Sequence, residues 1–109
     1  MNQHSEILQK LVPKLVDIFC QSICSIILYG SVARHEETVD SDIDIAIIVK
    51  SYTKAMHDSM IDCVVDLELE YDKILSVLLI DDEKYQEWEE VIPFYKNMKK
   101  EGFILWQAA

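Results

Sequence analysis

A chain of 109 residues has room for one domain, 1–109, and at that length buries about 60 to 70% of the surface its unfolded form exposes. Half of the residues are hydrophobic and 28% are charged, a globular rather than disordered composition, and no run approaches the roughly 20 apolar residues of a membrane span. A formal charge of −10, spread along the chain, repels nucleic acid, so direct polynucleotide binding is not expected, whereas a basic partner or a bound metal would suit it.

The opening MNQHSEILQK lacks a signal peptide's basic flank and apolar core, which points to a cytoplasmic protein. Cys20, Cys24 and Cys63 form no CxxC, and His4, His35 and His57 stand singly, so neither set has zinc-site spacing. Reduced, mostly buried thiols are expected.

In chain order, Ser5 is placed to cap a helix whose apolar positions Leu8, Leu11, Val12, Leu15, Val16 and Phe19 recur at helical spacing. Pro13 interrupts it, so either the helix kinks or a second one starts with Pro13 in its first turn. SIILYG at 25–30 and IDIAIIV at 43–49 are β-rich apolar runs and read as strands. From Thr53 to about Asp72, the spacing of Met56, Met60, Val64, Leu67 and Tyr71 predicts an amphipathic helix, with Asp62, Asp66, Glu68 and Glu70 mainly on its wet side. KILSVLLI at 73–80 predicts a third strand, followed by a helix that Asp81 or Asp82 would cap. IPFYKNMKKEG predicts a short last helix from Pro93 to the stop at Gly102. The apolar tail FILWQAA either adds a strand, packs back onto the core or serves an interface.

The chemistry concentrates in LYGSVARHEETVDSDIDIAII, residues 28–48. A strand running into Gly30-Ser31 and a helical turn would bring backbone N–H groups and a hydroxyl to the sheet edge, where they can hold phosphate oxygens. Asp42 and Asp44 are two residues apart on the next strand, so their carboxylates would share a face. Among Ile43, Ile45, Ile47 and Ile48 such a pair is costly to bury unless it is partnered or holds a cation; two carboxylates suit a hard ion such as Mg²⁺. With the phosphate cradle alongside, the pattern fits a nucleoside triphosphate held through metal, and an in-line attack on phosphorus.

These residues carry a resemblance. G-S-V-A-R at 30–34 and S-D-I-D at 41–44 resemble the signature of the DNA polymerase β-like nucleotidyltransferase superfamily, and the chain's size resembles its minimal nucleotidyltransferase (MNT) members, MntA-like antitoxins among them. The resemblance implies an α+β fold of polymerase β-like nucleotidyltransferase type, a small mixed β-sheet with helices packed mainly on one face. It implies an enzyme that moves a nucleoside monophosphate, AMP from ATP or another nucleotide from its triphosphate, to an acceptor and releases pyrophosphate. Gly30 and Ser31 would hold the triphosphate, and Asp42 and Asp44 would be the catalytic ligands of a two-metal Mg²⁺ site, one ion of which could be the only tightly bound one. Arg34 would contact phosphate or support the site through a salt bridge, and Ser41 would orient the aspartate loop.

Two departures stand out. His35 replaces the glycine that often follows Ala-Arg, and the third strand, where the superfamily places a third carboxylate, offers only Ser76 as an internal polar residue. Asp66, Glu68 and Glu70 before that strand, or Asp81 and Asp82 after it, are the candidate substitutes.

MNT proteins of this kind commonly act as antitoxins with an all-helical HEPN-domain partner, so the expected function is that of a HEPN/MNT toxin–antitoxin pair. The alternative is a binding module with weak or no catalysis that neutralises its partner by occlusion. A third reading, an enzyme acting on a free small molecule, lacks the acceptor domain that larger members carry. A homo-oligomer is compatible with the sequence.

Overall fold

The computed structural model describes residues 3–30 and 42–108. Helix α1 spans Gln3–Phe19 and passes through the exposed Pro13 as one element. Ile7, Leu11, Leu15 and Phe19, four residues apart, are fully buried, and that continuous stripe outweighs the local cost of the proline. Ser5 therefore lies inside the helix rather than at its cap, because the helix starts early enough to bury His4.

A 3₁₀ turn at Cys20–Ser22 leads into β1, Ile23–Tyr29. β1 begins two residues before the predicted run because Ile23 pairs with Val49, and it stops at Tyr29 because Gly30 takes a left-handed φ of +77°. β2 covers Ile43–Val49, as predicted, and is fully or almost fully buried except at Asp44. α2 runs over Lys54–Tyr71: the Met56 N–H donates to Thr53 Oγ1 at 3.1 Å, and Asp72 closes it in the left-handed region. That closure, with the Lys73 N–H donating to the Glu68 carbonyl, delays β3 to Leu75–Asp81. Asp81 caps α3, Asp82–Trp88; α4 is Pro93–Glu101, and β4 is Phe103–Gln107.

The four strands form one sheet in the order β3-β2-β1-β4. β2 and β3 run parallel across the α2 crossover, and β1 is antiparallel to both β2 and β4. The larger core lies between one face of the sheet and α1 with α2, joining Leu11, Phe19, Ile26, Ile45 and Leu67. On the opposite face a smaller cluster of Ile27, Ala46, Ile48, Ile80 and Met98 is covered through Tyr85 and Tyr95 of α3 and α4. The tail thus adds a strand: Leu105 and Trp106 pack on the larger core while Phe103 and Ile104 remain exposed.

Of the cysteines, all free, only Cys63 is buried; Cys20 is exposed at the left-handed residue that ends α1. No helix among the described residues is long and apolar enough to cross a membrane.

Candidate active site

Asp44 owes its direction to its neighbours. Ile43 and Ile45 are fully buried in the larger core, so strand alternation turns Asp44 to the smaller-cluster face, where it is half-buried. Its register partner on β1 is Tyr29, and the next residue is Gly30. A Cβ on Gly30 would overlap Asp44 Oδ2 and come within 3.1 Å of Asp44 Cγ. Glycine is required there twice over, by the left-handed φ and by the carboxylate against the backbone. Asp42 stands one residue before β2 and is exposed.

On the other side of Asp44, the parallel register brings Ser76 of β3 directly opposite. Tyr29, Asp44 and Ser76 therefore form a row across three strands. The candidate substitutes for a third carboxylate are engaged elsewhere. Glu68 accepts the Leu75 N–H at 2.9 Å, Glu70 pairs with Lys10 at 3.0 Å, Asp81 caps α3, and Asp82 accepts from Gln86 at 2.9 Å. Asp66 sits with Asp62 and Lys14 along the α1–α2 cleft. α2 packs on the sheet face opposite Asp44, and Asp81 lies about 16 Å beyond Ser76 at about 3.3 Å per strand residue.

Tyr29, which the sequence reading did not single out, abuts the site. Burial, and then the negative charge of Asp44, push its phenol above the usual tyrosine value of 10.0, so it is un-ionised at neutral pH. Its ring meets Phe94 of α4 edge-on at 5.5 Å between centroids. Between β1 and α4 lies a cavity of about 190 Å³ lined by Tyr29, Gly30, Phe94, Asn97, Met98 and Glu101. The one signal for Tyr29 was its place immediately before Gly30; α4 was legible as a helix but not as a wall of the site, because its approach to β1 is a tertiary event.

Ser31, Arg34, His35 and Ser41 lie outside the described residues. The donor chemistry of Asp42 and Asp44, two carboxylates at alternate positions, fits a hard divalent cation. Among the described residues no group of three or more His, Cys, Asp or Glu side chains could hold a metal. Two carboxylates suit an ion that completes its shell with substrate oxygens and water.

The sequence matches the family model described as Polymerase beta, Nucleotidyltransferase, over residues 13–108. The chain belongs to that family. No curated protein matches the sequence. Among solved structures, this nucleotidyltransferase chain is similar to a toxin–antitoxin with AMP-PNP, at TM-score 0.61 and 18% identity over 90% of this chain and 72% of that one. It is also similar to a complex of a tri-AMPylated Shewanella oneidensis HEPN toxin with its MNT antitoxin, at TM-score 0.59 and 16% identity over 97% of this chain and 74% of that one. An MntA–HpeT toxin–antitoxin mutant is a third, at TM-score 0.58 and 17% identity over 99% and 75% of the two chains. At these identities the likeness is one of fold, and it agrees with the four-stranded mixed sheet described above.

Proposed function

We propose that this single domain transfers a nucleoside monophosphate, AMP from ATP, onto an acceptor hydroxyl of a partner protein, and that it serves as the antitoxin of a HEPN/MNT pair. The supporting observation is the contact between the Gly30 backbone and the Asp44 carboxylate, which joins the glycine turn of one strand to the aspartate of the next. Gly30 and Ser31 hold the triphosphate, Arg34 neutralises it or braces the site, and Ser41 orients the segment leading to Asp42. Asp42 and Asp44 hold Mg²⁺. When bound, that ion neutralises triphosphate charge and stabilises the oxygens of an in-line displacement. The acceptor hydroxyl releases its proton to solvent as its oxygen forms a bond to the α-phosphorus, the bond from that phosphorus to the α–β bridging oxygen breaks, and pyrophosphate leaves with that oxygen. Binding partners of similar folds support the choice of nucleotide and acceptor: one is a complex with AMP-PNP, and another contains a tri-AMPylated toxin.

A second reading follows from Ser76. A hydroxyl in register with Asp44, where the family pattern calls for a carboxylate, favours nucleotide or partner binding over turnover, with neutralisation by occlusion. The deciding experiment is transfer of label from α-³²P-ATP, with Mg²⁺, into protein of the source-cell extract, comparing the native chain with Asp42→Ala/Asp44→Ala. A labelled band that only the native chain produces supports transfer. Partner capture and neutralisation that persist in the double variant, with no band from either, support occlusion.

A further inference from the structure

We infer that the cavity between β1 and α4 receives the base of the bound nucleotide, with Phe94 as the stacking face and Asn97 as the group that meets the base's polar edge. This rests on the reading of Gly30, Asp42 and Asp44 as the phosphate and metal end of the site. The cavity holds about 190 Å³, below the roughly 300–1,000 Å³ of pockets that enclose a whole small ligand. It therefore suits one ring system with the rest of the ligand outside. Gly30 is common to the cavity wall and to the Asp44 contact, so a ligand anchored there by its phosphates passes directly into the cavity.

The walls have the chemistry a base requires. Phe94 is 41% exposed although it touches Tyr29 and Tyr95, at 5.5 and 5.8 Å between centroids, which leaves part of an aromatic surface open. Tyr29 is held from behind by the smaller cluster and braces Phe94 edge-on, fixing the angle of that surface. Met98 is 3% exposed and supplies an apolar floor. Asn97 brings one acceptor and two donors, the complement of a heteroaromatic edge.

The test is equilibrium binding to the full chain, with Mg²⁺, of two probes: ATP and inorganic tripolyphosphate, which lacks a base. Phe94→Ala is expected to weaken ATP about tenfold, the size of a lost base–aromatic stack, and to leave tripolyphosphate unchanged. Phe94→Trp should restore ATP affinity, which a purely structural role for the ring would not predict. Unchanged ATP binding in Phe94→Ala overturns the inference, as does an equal fall for both probes. A raised acceptor KM with ATP affinity intact also overturns it and assigns the cavity to the acceptor. Failure of the underlying reading looks different: Asp42→Ala/Asp44→Ala would then leave both probes as they were, or neither would bind the native chain, and the inference falls with it.

Discussion

Asp44 of β2 and Ser76 of β3 are direct partners in a parallel ladder, so a single β-carbon substituent decides whether Asp44 faces a hydroxyl or a second carboxylate. Ser76→Asp is expected to raise Mn²⁺ or Mg²⁺ affinity by about tenfold, about 1.4 kcal/mol, and to raise transfer with it. Without metal the same change should lower stability by up to about 1 kcal/mol, because like charges then oppose each other across the strands. Thermal unfolding with and without Mg²⁺ reads both effects. If added metal fails to reverse the loss, Ser76 does not share a site with Asp44.

Gly30→Ala combines a left-handed φ of +77° with a Cβ placed on the Asp44 carboxylate. The expected loss is about 2 kcal/mol of stability, within the roughly 1–3 kcal/mol of a strained backbone position, together with loss of nucleotide binding. Urea unfolding measures the first and ATP titration the second. A variant as stable as the native chain would contradict the contact.

Tyr29 should give alkaline pH dependence to stability. Burial and the Asp44 charge raise its folded-state value above 10.0, so the folded chain keeps a proton that the unfolded chain loses. Its stabilisation is complete below about pH 10 and falls as pH climbs through the raised value. Tyr29→Phe should flatten that part of the stability profile. Asp44→Asn should bring the Tyr29 ionisation down toward the ordinary value, visible as a difference at 295 nm between variants with and without Tyr29.

Pro13 sits exposed inside α1, where it supplies no N–H to the helix. Pro13→Ala is expected to raise stability by about 2 kcal/mol: the interior penalty of about 3 kcal/mol, less up to about 1 kcal/mol of unfolded-state rigidity lost with the ring. A lower melting temperature would show that Pro13 contributes packing that offsets its helix cost.

Gly102 joins α4 to β4 at close range: an added Cβ would overlap the Met98 carbonyl and approach Ile27 Cγ2 to 2.7 Å. Gly102→Ala should therefore cost about 1–3 kcal/mol through overpacking, measured by chemical denaturation. Because α4 carries Phe94 and Asn97, ATP affinity should fall in parallel.

Local patterns determined much of this. The apolar run 43–49 is β2 residue for residue, since its branched side chains need burial on both faces. The span of α2 and its apolar stripe were equally legible, because amphipathicity acts within a few turns of helix, whereas the cap by Thr53 emerged only with the structure. So was the pairing of a glycine turn with Asp-x-Asp, which marked the family before any coordinates.

Other features depend on contacts between segments far apart in sequence. Pro13 left two outcomes open until the buried stripe through Leu11 and Leu15 settled them, because tertiary burial exceeds one proline's penalty. The tail FILWQAA was compatible with strand, core or interface until β1 offered it a free edge. Only the register put Ser76 beside Asp44, and only the packing of α2 on the opposite face kept Asp66, Glu68 and Glu70 from that place. The cavity beside Gly30 likewise exists because α4 folds back over β1, a juxtaposition that hydrophobic burial creates and that no local spacing encodes.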